Sequence, residues 1–368
     1  MSDQIVLDAP NLGGLEKEYL NKAIDSNYVS TAGPFVPEFE TKFASYLNTG
    51  GAVAVQSGTA AIHMALYELG IKAGDEVIVP VVTFIASVNP VVYVGATPVF
   101  VDIDLATWNL DPSEVRKAIT PRTKAIIPVH LYGNPCDMAE IMDIAREYGL
   151  YVIEDATESL GATYHGKMTG AIGDMGCFSF NGNKVITTGG GGMVTSNDAG
   201  KAKHIKFLVN QARDESRGYF HPEIGFNHRM TNLEAALGLA QFQRLPEFLA
   251  QKRQYYQEYH RIFADNKNLD LQHELPGAVS SFWLSSVRIK KNTSGLSLVE
   301  IQARLKEYGI PTRRIFQPLV DFPPYQKYKS GAYPNAYELF HTGLNLPSST
   351  LNSVDDIRRA ALTVLQVV

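Results

Sequence analysis

The chain has 368 residues, 45% of them hydrophobic and 19% charged, enough to bury a large core and to fold as one large domain with a smaller one attached. A net charge of -5 and a pI of about 6.0 exclude a basic field for nucleic acid or an anionic membrane surface. Two cysteines, Cys136 and Cys177, give neither a disulfide framework nor metal-ligand spacing, so a reducing compartment and no metal are expected.

In chain order, Met1 to Gln4 lacks the basic and apolar regions of a signal peptide, and no later run is long enough to span a membrane, which points to the cytoplasm. Asn11 to Ile24 mixes apolar and charged residues at helical spacing and ends in the loop Ser26-Asn27-Tyr28. Ser30 to Pro34 reads as a turn-rich connector, and Pro37 to Leu47 as an amphipathic helix with Phe39, Phe43 and Leu47 on one face. Ala52 to Val55 is a short strand, after which Ser57-Gly58-Thr59-Ala60-Ala61 opens a helix to about Leu69. Backbone N–H groups at such a start, with the Thr59 hydroxyl, suit a phosphate dianion. The same residues also make a plain N-cap.

Glu76 to Pro80 is the next strand and feeds Thr83-Phe84-Ile85-Ala86-Ser87, where Phe84 either stacks on a flat ring or joins the core. Pro98 to Asp102 is a further strand, and Asp111-Pro112-Ser113-Glu114 starts a helix with cap, N1 proline and N3 acid in place. Lys124 to His130 reads as an apolar strand, with His130 either a site residue or a satisfied core histidine. Met138 to Tyr148 is a helix between Asp137 and Gly149. Strands alternating with helices from Ala52 to Ile153 predict βαβ units and a largely parallel sheet.

Tyr151 to Asp155 is a buried strand ending in carboxylates, and Met175 to Phe180 is another. Asn181-Gly182-Asn183-Lys184 follows, then Val185 to Thr188, four glycines from Gly189 to Gly192, and a strand resuming at Met193. Lys184 therefore sits on a tight connection between strands, where glycines let the backbone approach something closely. A lysine there is either solvated or forms a Schiff base with a carbonyl. Asp155 tips the balance. A pyridoxal phosphate site needs a lysine to carry the cofactor and a carboxylate to keep its pyridine nitrogen protonated. An acid at the carboxyl end of a parallel strand lies where α/β proteins bind ligands.

Beyond this, Asn232 to Gln243 predicts a helix of small residues and Gln251 to Ala264 a polar, aromatic-studded one leading to a second domain. The rest reads as a smaller α+β unit: strands such as Ser281 to Ile289, the helix Leu298 to Tyr308 with a Ser297/Glu300 capping box, and a last helix Val354 to Val367. The expected division is a cofactor-binding domain over residues 1–250 and a small C-terminal domain over 251–368.

With Ser57-Gly58-Thr59, Thr83 to Ser87, Glu154-Asp155-Ala156-Thr157-Glu158-Ser159-Leu160-Gly161 and Phe178 to Lys184 in that order, the chain resembles the DegT/DnrJ/EryC1/StrS sugar aminotransferases over nearly its whole length. The resemblance implies an α/β fold of the aspartate aminotransferase kind, fold type I. It gives Lys184 as the lysine that holds pyridoxal phosphate and moves the proton, and Asp155 as the partner of the pyridine nitrogen. Gly58, Thr59 and Ser179 match phosphate-binding positions, Phe84 the aromatic on the ring, and Glu158 the position that reaches the ring hydroxyl or the sugar. Thr157 stands where many relatives carry alanine.

Asn227, within Gly225 to Asn232, matches a residue that contacts the cofactor phosphate of a neighbouring subunit, which implies a homodimer with shared active sites. A lysine at 184, where sugar-dehydrating relatives have histidine, implies amino transfer. L-glutamate is the implied donor. The acceptor is implied to be a nucleotide-linked 4-keto-6-deoxy hexose aminated at C4, first UDP-4-keto-6-deoxy-N-acetylhexosamine and alternatively the substrate of a GDP-perosamine synthase. For that substrate the candidates are Arg229, Trp283, Arg313, Arg314, His341 and the Asn27-Tyr28 loop, adjacent arginines suiting a pyrophosphate. A non-catalytic ligand sensor is the reading of another class, against which the intact Lys184 and Asp155 stand.

Overall fold

A computed structural model describes residues 4–291 and 293–368. In chain order, strands β1 (Gly51–Val55), β2 (Glu76–Pro80), β3 (Thr97–Val101), β4 (Thr123–Ile126) and β5 (Tyr151–Asp155) are followed by a short hairpin, β6 (Thr163–Tyr164) and β7 (Lys167–Met168), and then by β8 (Met175–Ser179) and β9 (Gly192–Ser196). Seven of these make one sheet in the order β1-β9-β8-β5-β4-β2-β3. Only β9 runs against its neighbours; the other pairings are parallel, as the βαβ alternation predicts.

Both faces of this sheet are covered, and the strands divide their side chains between them with a period of two. Val77, Val79, Ile127 and Ile153 enter the larger core, while Ile78, Ile126 and Val152 enter a smaller one beneath the helices Pro112–Ala118 and Met138–Tyr148. In the larger core, the helix Phe35–Leu47 lays Phe39 and Phe43 on Phe178 and Phe180, with ring centroids 5.0–5.6 Å apart. All four rings are fully buried, worth about 1.5–3 kcal/mol each. They pin the end of β8, so the turn carrying Lys184 leaves the sheet at a fixed point.

Past the long helix Leu245–Phe263, β10 (Leu269–Leu271), β12 (Ser286–Ile289), β13 (Arg313–Arg314) and β14 (Gly343–Asn345) form an antiparallel sheet, order β10-β12-β14-β13. The remaining strand, β11 (Ala278–Val279), joins the β6/β7 hairpin. A core of Tyr255, Tyr259, Val287, Leu305, Ile357 and Val364 backs the antiparallel sheet, and Ile5 from the chain's start lies in it. Trp283, Ile315, Leu319 and Leu339 belong instead to the large core, so the C-terminal third reaches over the sheet that bears the lysine.

Four elements differ from the sequence expectation. The first helix begins at Glu16, not Asn11, because Gly13 and Gly14 precede it and Gly14 N–H is taken by the Glu16 carboxylate at 2.8 Å. The helix expected from Gln251 begins at Leu245, with proline in its first turn. The run Lys124–His130 is a strand only to Ile126: Pro128 brings no N–H, and Tyr132 turns the chain at φ 55°. The strand expected from Ser281 starts at Ser286. Serine hydroxyls capture the backbone before it, Phe282 N–H bonding to Ser280 Oγ at 3.0 Å and Ser285 N–H to Ser348 Oγ at 2.8 Å.

Candidate active site

A cavity of about 440 Å³ opens at the carboxyl ends of β5 and β8. Ser57, Gly58, Thr59, Phe84, Asp155, Glu158, Ser179, Lys184, Trp283 and Arg313 line it, so six separate stretches of the chain meet there.

One end is built for an anion. Ser57 caps the helix Gly58–Glu68, its Oγ accepting from Ala60 N–H at 3.1 Å, and aims the helix start at the cavity. A Cβ on Gly58 would lie 2.9 Å from Ser179 Cβ and 3.0 Å from Thr157 Cγ2, so only glycine lets these three segments meet. Gly190 and Gly191 complete this end.

Asp155 forms the floor at the end of β5 and is 2% exposed. Its Oδ2 accepts from Ser87 Oγ at 2.5 Å and its Oδ1 from Thr157 N–H at 3.1 Å, and Ser87 is in turn 2.7 Å from Thr83 Oγ1. Donors on both of its oxygens fix the direction in which the carboxylate points. The sequence marks Thr83 and Ser87 only as flanks of Phe84; hydroxyls four residues apart on the turn after a strand are the signal that finds them. Phe84 itself is 55% exposed and borders the cavity, its ring centroid 5.8 Å from Phe316.

The lysine end is polar and tightly held. Lys184 Nζ is 3.5 Å from Glu158 Oε1 and 3.8 Å from the centroid of the Trp283 ring. Glu158 Oε2 accepts from Tyr132 N–H at 2.8 Å. Burial pushes the Glu158 carboxyl above its ordinary pKa, and the neighbouring Lys184 opposes that shift. Trp283 donates its indole N–H to Asn183 O at 2.6 Å. Asn183 also bonds Asp8 Oδ2 at 3.0 Å, and Asp8 takes the Arg313 guanidinium in a two-point pair at 2.8 and 3.1 Å. No pattern in the first ten residues marks Asp8, nor does any mark Phe316.

The other sequence candidates lie elsewhere. Arg314 neighbours Arg313 but points to the opposite face of β13, over the Phe340 ring and bonded to Phe340 O at 2.7 Å, near His341 and outside the cavity. The Asn27-Tyr28 loop does not line the cavity, and Tyr28 O is bound by Asn232 Nδ2 at 2.7 Å. Asn227 is exposed and bridged to Asn210, also outside the cavity of its own chain. Arg229 bridges Val55, and its Nε is buried with no partner among the described residues. His130 is a core histidine: Nδ1 accepts from Cys136 N–H at 3.1 Å, so Nε2 carries the proton toward Glu154 Oε2 at 3.0 Å.

A glycine-walled anion seat, a held carboxylate and an amine within one cavity fit pyridoxal phosphate, with the seat for the phosphate, Asp155 for the pyridine nitrogen and Lys184 for the aldehyde carbon. These features define a fold-type-I pyridoxal phosphate aminotransferase. The chain belongs to the DegT/DnrJ/EryC1/StrS aminotransferase family, which matches residues 10–364. It is 44% identical over 372 aligned residues to the GDP-perosamine synthase of Caulobacter vibrioides, covering 100% of both chains. It is 42% identical to that of Escherichia coli O157:H7, covering 92% of each. The pyridoxal phosphate form of the sugar aminotransferase Spr1654 from Streptococcus pneumoniae superposes with a TM-score of 0.91 at 29% identity, over 99% of this chain and 100% of that one.

Proposed function

We propose that this aminotransferase moves the amino group of L-glutamate to C4 of a nucleotide-linked 4-keto-6-deoxy hexose, with a GDP-linked sugar as acceptor. The observation that carries the reading is the meeting of Lys184 and Asp155 in one cavity of a chain that aligns over its full length with the GDP-perosamine synthase of Caulobacter vibrioides. That similarity favours the GDP-linked acceptor over the UDP-N-acetylhexosamine that the motif pattern put first.

When bound, the cofactor supplies an electrophilic carbon and an electron sink. The protein supplies the rest. Lys184 removes the α-proton of glutamate in the first half and delivers a proton to C4 of the sugar in the second, and because each half both takes up and gives back a proton it acts as base and then acid in both. Asp155, fixed by Ser87 and Thr157, is the carboxylate that would keep the cofactor's pyridine nitrogen protonated. Gly58, Thr59 and Ser179 would hold the cofactor's phosphate, with Phe84 and Glu158 available to its ring. Arg313 is the cation at the cavity wall suited to the substrate's phosphates. Asn227 and Arg229 lie on a segment that completes the site of a second copy, so the working unit is a homodimer. No helix among the described residues is long and apolar enough to cross a membrane.

The test is turnover of purified protein with pyridoxal phosphate, L-glutamate and either a GDP-linked or a UDP-linked 4-keto-6-deoxy hexose, read as aminated nucleotide sugar by mass spectrometry. Amination of the GDP-linked sugar in preference supports the reading. Preference for the UDP-linked N-acetylated sugar overturns the choice of acceptor, and no amination of either overturns the substrate class.

A further inference from the structure

The mechanism requires Lys184 to leave its bond and return to it in every cycle, and its ε-amino group needs somewhere to stay in between. The place it occupies is the face of Trp283, 3.8 Å from the ring centroid, with the Glu158 carboxylate at 3.5 Å on another side. A cation over an indole at this distance is attracted by the negative ring face, most strongly when water is excluded. Trp283 is only 2% exposed, and its single N–H is spent on Asn183 O, the residue before the lysine. The indole therefore has no donor left for a sugar, and the face it presents to the cavity is taken by Lys184.

Behind the indole lies a second lysine that the mechanism does not use. Lys252 is 5% exposed, and its Nζ donates to Trp283 O at 3.0 Å and to Ser348 O at 2.8 Å. Ser348 in turn holds Ser285 N–H through its hydroxyl at 2.8 Å and donates its own N–H to Leu7 O at 2.7 Å. One amine thus ties the irregular stretch around Trp283 to the segment before the last helix and, through it, to the strap that carries Asp8. Burial lowers the Lys252 pKa to about 8, with Asp8 opposing the shift. Even uncharged, the amine keeps two N–H groups, one for each carbonyl.

We propose that Trp283 and Glu158 form the resting seat of the Lys184 amino group while it is not bonded to cofactor, and that Lys252 is the positioning residue that holds the seat in place. A fixed seat keeps the amine within reach of both reacting carbons rather than free in solvent.

The chain has two tryptophans, and the other, Trp108, is buried with its indole nitrogen unpaired among the described residues, so Trp108→Phe leaves Trp283 as the sole indole, read by excitation at the red edge where tyrosine does not absorb. In this background, full-length cofactor-free protein is compared with and without Lys184→Met. An ammonium on the ring face quenches indole emission, so brighter Trp283 emission in the Lys184→Met protein is expected. Adding Lys252→Met should shrink that Lys184-dependent difference by half or more. With cofactor loaded, Trp283→Leu should slow single-turnover transfer from glutamate about tenfold while leaving glutamate affinity unchanged. Identical emission with and without Lys184 overturns the seat. A difference that survives Lys252→Met in full overturns the role of Lys252, since a purely structural lysine would leave it intact. Should Lys252→Met fail to fold, Lys252→Gln, which retains a donor, replaces it, and the same difference is expected to fall between wild type and zero.

Discussion

The two walls of the cavity are built by different means. The wall for the cofactor stands on regular structure: Asp155 ends a parallel strand, Gly58 and Thr59 open a capped helix, and Ser179 ends β8 above four buried phenylalanines. The facing wall has little regular structure. Trp283 and Phe316 lie on irregular chain, Arg313 is in a two-residue strand, and Asp8 is on an N-terminal strap. Backbone ladders fix the first wall, and side-chain hydrogen bonds such as Asp8 to Arg313 and Asn183 fix the second. On the proposed reading the cofactor's carboxylate partner and phosphate seat rest on the rigid wall, while Arg313, proposed for the substrate's phosphates, rests on the wall that few substitutions can re-form.

Substitutions should therefore split by wall. Lys184→Ala is expected to lower amino transfer by about 10⁴-fold, read as keto acid formed from glutamate. Retention of more than a few per cent of the rate would break the distinction at its strongest point. Asp155→Asn removes the carboxylate proposed to keep the pyridine nitrogen protonated and should cost about 10²–10³-fold at saturating cofactor. A change confined to cofactor affinity would show that Asp155 only binds.

Behind the second wall, Lys252 gives a pH signature. Its pKa is about 8 in the folded protein against 10.5 when unfolded, so between those values the unfolded chain binds more protons and stability rises with pH. Below pH 8 the folded protein carries the whole desolvation penalty, about 3 kcal/mol. Lys252→Met lacks this term. The stability of wild type relative to this variant should increase between about pH 7.5 and pH 10 in denaturant titrations, and a flat difference would contradict the burial of the amine. On the same wall, Arg313→Ala should raise KM for the nucleotide sugar about tenfold with little loss of kcat. Arg314→Ala, one residue on, should leave KM unchanged. Equal effects at the two positions would erase the contrast between the faces of β13.

Those two arginines show where sequence reading stops. The parallel sheet, the capped helices and the Lys184–Asp155 pair were legible because each rests on a local pattern: period-two apolar runs, cap residues at fixed offsets, and a lysine on a glycine-rich turn. Arg313 and Arg314 have the same chemistry and adjacent positions, and only the register of β13 against β14 sends one into the cavity and the other over Phe340. Trp283 lines the cavity, but its place beside the lysine is not legible, because the serines before β12 replace the expected strand with a side-chain-bonded coil. Asp8 reaches Arg313 across 305 positions of chain, a pairing that no local signal encodes.

The most direct test of the central claim is the visible absorption of the cofactor-loaded protein on addition of L-glutamate, with keto acid measured alongside, in wild type and in Lys184→Ala. Loss of the visible cofactor band with one equivalent of keto acid per site in wild type, and neither change in the variant, is the predicted result. An unchanged band in wild type, or amino transfer in Lys184→Ala at the wild-type rate, would contradict it.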